Sequence, residues 1–448
     1  MTTLTTIMMT DAPFDLTLLP ASARVGADGS LSVGGVDLVG LAGEFGTPLY
    51  VYDDGELRAR CREYRANFGG RVAYASKAFL CTAIVHLVDE EGLDLDVATG
   101  GELHVALHAG FPAERIVFHG NNKSSDELRT ALTAGVGRIV VDSFDEIERL
   151  ESLAGDGLPV SVLVRVTPGV EAHTHEYIET GAEDSKFGFG LQNGDALRAV
   201  RRIVEGGTLR FAGLHCHIGS QVFRLDSFAL AADRMVGLVH EIETDAGVTV
   251  DELNLGGGLG VRYVSTDEGA SIAQHVASLQ DLVAKALAAH GVRSRPTLMV
   301  EPGRSIAGPS GFTLYTVGTI KTIPGLRTYV AVDGGMSDNL RPVTYGARYE
   351  SFLPARVTAP RSLVATIAGK HCEQGDLLVR DAQLPDDVAV GDILATPVTG
   401  AYAQSMASNY NKVLRPAVVF VHEGRARLVV RREEPDDLVR LDVADPRE

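Results

Sequence analysis

The sequence predicts an α/β architecture: a (β/α)8 TIM-type barrel joined to a β-rich, sandwich- or barrel-like domain that takes in both ends of the chain. Three observations predict it. Between Leu49 and about Ile306 one rhythm repeats, a short β-branched run, a polar or Gly-rich turn, then an amphipathic helical stretch. Beyond Ile306 that rhythm gives way to alternating strand patterns, and the first 45 residues carry a short strand pair of their own.

Taken in order, the candidate barrel strands are Val72–Ser76, Leu93–Val97, Ile116–His119, Arg138–Val141, Val160–Val166, Phe211–His217, Glu252–Leu255 and Thr297–Val300. Helices fall between them, for example Gly101–Ala109 and Ser271–His290, where apolar residues recur at three and four. Eight strand-plus-helix units in about 250 residues match the size of a (β/α)8 barrel, with an open doubly wound sheet as the alternative. Later strands are expected at Thr313–Ile320, Arg327–Val332, Leu363–Ile367 and Asp392–Ala395, with a closing hairpin of Ala417–Val421 and Ala426–Arg431. Near the start, Leu31–Val33 and Val36–Leu38 flank Gly34-Gly35. The expected domains are therefore a barrel over residues 46–307 and a discontinuous β domain of residues 1–45 and 308–448.

With 448 residues, 45% hydrophobic and 22% charged, the chain has ample material for two cores. A formal net charge of −18 speaks against nucleic acid and anionic membranes as partners. Cys61, Cys81, Cys216 and Cys372 lie far apart, without CxxC or zinc-ligand spacing, which fits a reducing cytoplasm. Met1–Thr10 lacks the basic and apolar parts of a signal peptide, and no apolar run is long enough to span a membrane.

Active sites of such barrels form at the carboxyl ends of the strands. Unusual residues gather there. Lys77, in Tyr74-Ala75-Ser76-Lys77-Ala78-Phe79, directly follows the first strand, where desolvation can free an amine as a nucleophile. Taken alone it would read as a surface lysine. His119-Gly120-Asn121-Asn122-Lys123 follows the third strand and His215-Cys216-His217-Ile218-Gly219-Ser220-Gln221 the sixth. His215 and His217, two apart on a strand, would share a face; with no third ligand at sensible spacing, no metal is expected, and an imidazole can equally stack on a flat cofactor. Gly256-Gly257-Gly258 after the seventh strand can bring backbone N–H groups onto an anion, although a glycine run can also be a mere tight turn. Glu301-Pro302-Gly303-Arg304 ends the eighth strand, and a plain salt bridge is its bland reading. A Schiff-base lysine, a phosphate cradle and a carboxylate for a pyridinium nitrogen together indicate pyridoxal 5′-phosphate.

With these motifs the chain resembles the barrel-type (fold type III) pyridoxal-phosphate decarboxylases and, among them, the diaminopimelate decarboxylase branch. The likeness runs from Gly46-Thr47-Pro48-Leu49-Tyr50-Val51-Tyr52 to Gly400-Ala401-Tyr402. More specific to that branch are Ser185-Lys186-Phe187-Gly188, Val332-Asp333-Gly334-Gly335-Met336-Ser337-Asp338-Asn339-Leu340-Arg341-Pro342, His371-Cys372-Glu373-Gln374-Gly375-Asp376 and Ser405-Met406-Ala407-Ser408-Asn409-Tyr410-Asn411. Phe79 and Thr99 depart from the usual Asn and Ser, without removing a reactive group.

The resemblance implies that Lys77 carries the cofactor and His217 stacks on its ring. Ser220, Gly256, Gly257, Gly258, Gly303 and Arg304 lie in the motifs that hold the phosphate, and Glu301 faces the ring nitrogen. Cys372 resembles the proton donor and Tyr402 a residue touching cofactor and substrate. Arg304, Arg341, Tyr345 and Glu373 match substrate-holding positions. The implied reaction is decarboxylation of meso-2,6-diaminoheptanedioate (meso-diaminopimelate) to L-lysine, the last step of lysine biosynthesis, by a homodimer in which Cys372 and Glu373 reach the partner's site. Related racemases are expected to place Arg where Glu301 stands. A distal substrate carboxylate suits Arg341 and Arg304, whereas an ornithine-type substrate would set a cation beside Arg341. Rival readings are a decarboxylase of ornithine, arginine or a carboxylated polyamine, and a non-catalytic relative that only binds the cofactor.

Overall fold

A computed structural model describes residues 13–154, 160–170, 180–181 and 184–443; the opening stretch Met1–Thr10 lies outside them. Eight short, largely buried runs form one closed parallel sheet: Arg71–Ala75, Asp94–Val97, Ile116–Phe118, Arg138–Val141, Val160–Thr167, Leu209–His215, Glu252–Asn254 and Thr297–Val300. Each pairs with the next, and Thr297–Val300 returns to Arg71–Ala75. The barrel is thus observed with all eight expected strands, and an open sheet is ruled out by that closure. Ala73, Val117, Val140, Leu163, Ala212 and Met299, from six of the strands, pack together as a core cluster. Local chemistry starts the intervening helices. Thr99 caps Gly100–His108 by accepting from Glu102 N, and the Ser124/Glu127 and Ser271/Gln274 capping boxes open Ser125–Ala134 and Ile272–Ala289.

Two compact units result. One comprises Arg58–Val261 and Glu268–Ile306; the other comprises the chain up to Leu57, Arg262–Asp267 and the chain from Ala307 on. The second unit is built on an eight-stranded sheet. Its strands run, in spatial order, Leu377–Leu384, Leu363–Ala368, Arg327–Val332, Gly311–Ile323, Leu49–Asp53, Ala417–His422 and Arg425–Val430, with Ile393–Pro397 paired to Gly311–Ile323. Arg24–Val25, Leu31–Val33 and Val36–Asp37 form a separate three-stranded sheet.

The barrel unit begins at 58 rather than 46 for a physical reason. All five residues of Leu49–Asp53 are buried, and their backbone pairs antiparallel to Gly311–Leu314 and parallel to Ala417–Val421. Among the described residues no helix is long and apolar enough to cross a membrane.

Candidate active site

Because the barrel strands are parallel, the segments that follow them emerge at one end. Lys77 sits there in a short 3-10 turn, Ser76–Ala78, whose flanking residues Ser76 and Ala78 are buried while Lys77 is exposed. Its charge acts on both Asp96 and His217. The other lysine near the mouth, Lys123, is 2% exposed; its Nζ donates to Gly120 O (2.7 Å) and Val140 O (2.8 Å) and lies 2.7 Å from Glu146 Oε1. Burial, partly opposed by Glu146, depresses its pKa. The structure therefore separates a lysine at the surface of the mouth from one locked in the wall.

Glu301, at the end of the eighth strand, is the centre of a buried network. Its Oε1 lies 2.8 Å from His119 Nε2 and accepts from Asn254 Nδ2 at 2.6 Å; its Oε2 lies 3.2 Å from His215 Nε2. Burial alone would raise its pKa, but His119 and then His215 outweigh that and hold it well below the usual carboxylate range. An ionised carboxylate only accepts, so both ring Nε2 atoms carry the proton. A carboxylate has about four lone-pair sites, and three donors leave one on Oε2 for a further N–H. His119 Nε2 is also 3.2 Å from Asp96 Oδ1, and the His119 and His215 rings meet edge-on at 4.5 Å.

The strand ends at His215, so His217 stands just beyond it rather than two apart on the same strand. His215 shares Glu301 with His119, and those three residues bring a possible metal-ligating set together that spacing did not reveal. In this structure their ligand atoms are engaged with one another through hydrogen bonds. His217 instead accepts from Gly257 N at 3.3 Å. Burial, reinforced by the Lys77 charge, holds its imidazole well below the usual pKa and therefore neutral.

The glycine run is needed for close approach. A Cβ on Gly256 would lie 2.5 Å from Cys216 O, one on Gly257 would strike the Glu301 carbonyl oxygen, and one on Gly258 would lie 2.6 Å from Gly219 O. The expected cradle of three glycine N–H groups is narrower than spacing suggested. Gly256 N donates to Asn254 Oδ1 and Gly257 N to His217, leaving Gly258 as the run's N–H without an acceptor among the described residues. Arg304, 6% exposed, donates from Nη2 (2.8 Å) and Nε (3.2 Å) to Ser220 Oγ, and Gly303 packs tightly on Ala75 and Ala78.

The remaining expected residues belong to the β-rich unit. Arg341 is buried; its Nη1 donates to Tyr349 OH at 2.6 Å and its guanidinium lies 4.5 Å from the Tyr263 ring centre. Among the described residues no carboxylate forms an ion pair with it. Burial works against its charge, yet the Tyr263 and Tyr349 phenols more than offset this and its pKa is raised. Tyr345 ends the short helix Arg341–Tyr345. Cys372 is exposed rather than a buried structural thiol, with its backbone N–H donated to Asn411 Oδ1 at 2.8 Å. Glu373 accepts from Tyr410 OH, and Tyr402 adopts a positive φ of 64°.

These residues fit pyridoxal phosphate. A buried anionic acceptor with one site left, a neutral imidazole, a guanidinium–hydroxyl pair beside a glycine loop and a lysine at the same barrel end match its pyridinium, ring face, phosphate and aldehyde. Asp96, His119, Asn254 and Arg165 were not singled out as site residues from sequence. Arg165 is 6% exposed, with its guanidinium 4.2 Å from the Phe187 ring centre and its charge felt by Glu301's neighbourhood. The available signal was a pair of acidic residues, Asp94 and Asp96, in an otherwise apolar strand.

Comparison with known proteins agrees with this chemistry. Residues 54–308 match the family described as "Pyridoxal-dependent decarboxylase, pyridoxal binding domain". The chain is 52% identical over 426 residues to a diaminopimelate decarboxylase of Mycobacterium tuberculosis, covering 93% of this chain and 95% of that one. Identity to the Bacillus subtilis diaminopimelate decarboxylase is 49% over 431 residues, covering 95% and 98%. The crystal structure of the M. jannaschii diaminopimelate decarboxylase with L-lysine superposes with a TM-score of 0.88 at 32% identity, covering 95% of this chain and 99% of that one. By its matched motifs, its closed barrel and these relatives, the chain belongs to the pyridoxal-dependent decarboxylases and, within them, to the diaminopimelate decarboxylases.

Proposed function

We propose that the protein removes the D-centre carboxylate of meso-diaminopimelate as CO2 and forms L-lysine, the last step of lysine biosynthesis. The carrying observation is Arg341, a buried guanidinium with aromatic walls and no carboxylate ion-pair partner among the described residues, in a chain of this family. Such a site suits a substrate that brings its own carboxylate.

Pyridoxal phosphate, when bound, supplies an electron sink for the pair released as the Cα–carboxylate bond breaks. In this reading Lys77 holds the cofactor through its amine, while Ser220, Gly258 N and Arg304 hold the phosphate and Gly303 keeps the eighth-strand loop close. Glu301 stays anionic beside the ring nitrogen and keeps a proton there; each pKa unit of such stabilisation is worth about 1.36 kcal/mol. Neutral His217 offers a flat face without adding charge. Cys372 Sγ–H, on an exposed side chain, delivers the proton that replaces CO2 on Cα. Arg341, Arg304, Tyr345 and Tyr402 hold the distal end of the substrate, and Glu373 pairs with its ammonium. The protein works in the cytoplasm as a homodimer whose copies each lend Cys372 and Glu373 to the other's site.

The test is to supply purified protein and pyridoxal phosphate with meso-diaminopimelate, ornithine, arginine and lysine in turn, measuring CO2 and identifying the product. Lysine formed from meso-diaminopimelate alone is expected. Equal turnover of all four would sink the substrate assignment, and no turnover of any would favour a cofactor-binding relative without activity.

A further inference from the structure

Two buried acid–base groups at the barrel mouth have no part in the assignment above. Asp96 is the last residue but one of the second strand and His119 follows the third; they are 3% and 7% exposed. One atom, His119 Nε2, faces two carboxylates, Glu301 Oε1 at 2.8 Å and Asp96 Oδ1 at 3.2 Å.

We propose that His119 is a positioning residue for Glu301, and that Asp96 is the partner with which His119 shares a proton, so that the negative charge stays on Glu301. The inference rests on the pyridoxal-phosphate reading of the barrel mouth.

A single N–H cannot neutralise two buried carboxylates, and full charge on both would repel strongly at low dielectric. The unequal surroundings decide which one stays ionised. Glu301 has His119, His215 and Asn254 as donors, whereas Asp96 has His119 alone among the described residues. The extra proton therefore resides on Asp96 rather than on Glu301. The titration directions agree: burial pushes Asp96 up to about 7, while Glu301 is held low despite its burial. Other charged or titratable groups facing this cluster are Lys77 after the first strand, Glu102 on the following helix, Arg165 on the fifth strand, and His215, Cys216 and His217 at the end of the sixth. Arg165 is in turn 3.6 Å from Asp142 after the fourth strand. His119 cannot swing away freely, because the His215 ring abuts it.

The experiment uses the full chain loaded with pyridoxal phosphate. Visible absorbance of the bound cofactor is followed across the neutral pH range, and kcat and KM are measured for meso-diaminopimelate. Wild type should show a spectral titration step near neutrality, and Asp96→Asn, which is nearly isosteric, should keep the band but lose that step. His119→Ala should lower kcat by about ten- to a hundredfold, as losing a hydrogen bond to a charged group implies, with KM little changed. His119→Gln restores an N–H donor and should recover part of kcat. An Asp96→Asn protein that titrates as wild type overturns the role of Asp96. His119→Ala and His119→Gln proteins that match wild type, or that fail equally, overturn the role of His119. A wild-type protein with neither a visible band nor CO2 release would instead refute the cofactor reading itself, and so is told apart from failure of this one.

Discussion

Lys123 offers a measurement of how firmly the barrel mouth is braced. Its ammonium is almost fully enclosed and meets Glu146, itself 2% exposed, while donating to the carbonyls of Gly120 and Val140. Lys123→Met fills the same space but strands a buried carboxylate, which costs about 3–5 kcal/mol. Lost hydrogen bonds to two carbonyls are part of that figure rather than an addition to it. For a unit of this size about 2–4 °C per kcal/mol is expected, so its transition should fall by roughly 10 °C in differential scanning calorimetry. Lys123→Met/Glu146→Leu removes both charges and should regain at least half of the loss, because an apolar pair of similar volume is often neutral. A single variant that melts with wild type, or a double variant no better than the single, would refute the reasoning. The loop that Lys123 braces carries His119 at its start, so cofactor affinity should weaken in the single variant and recover in the double.

Four further outcomes are expected. His275 is 5% exposed on Ile272–Ala289, with its ring 4.8 Å from that of Phe228, and burial lowers its pKa to about 4. Its stabilisation is therefore complete above the unfolded value of about 6.5 and is lost as pH falls toward 4, amounting to about 2 kcal/mol at pH 5. His275→Leu should flatten that part of the melting-temperature profile between neutral pH and pH 5, and an unchanged slope would contradict it. Gly257→Ala forces a methyl against the Glu301 carbonyl and should weaken retention of pyridoxal phosphate on dialysis at least tenfold, an order-of-magnitude figure for a displaced charged contact; undiminished retention would contradict it. Lys77→Ala should abolish the visible absorbance of lysine-linked cofactor, and its persistence would shift attention to another lysine. Cys372→Ala, by contrast, should slow turnover while leaving that absorbance in place.

Much of this fold can be read before any coordinates exist. The eight barrel strands fall within two residues of the expected ends because each is a short apolar run closed by a turn, and burial on both faces removes ambiguity about register. Besides the two-residue strands Arg24–Val25 and Phe189–Gly190, too short to carry a pattern, two longer strands escaped for different reasons. Leu377–Leu384 is interrupted by exposed Arg380 and Asp381, the latter at a positive φ of 53°, so its centre looks like a turn. Leu49–Asp53 has the composition of a barrel strand, and only pairing with partners hundreds of residues later assigns it elsewhere. In the site, Lys77, Gly256-Gly257-Gly258 and Glu301 stood out because such residues are unusual at strand ends. The Glu301 network did not, since contacts among the second, third, sixth, seventh and eighth strands depend on barrel closure, which no local spacing encodes.

Leu49–Asp53 and Gly311–Ile323 are antiparallel neighbours, yet the whole barrel lies between them in the chain. On the ribosome, the earlier strand must therefore wait, with five side chains destined for the interior, while roughly 250 residues are made. Its second neighbour, Ala417–His422, emerges later still. The barrel can close on itself as it leaves the exit tunnel, but the sheet can be zipped up only near the end of translation. Nascent chains stalled with residue 306 just clear of the tunnel should thus display a finished barrel and one sticky, unpaired apolar segment, the natural point for a chaperone to hold.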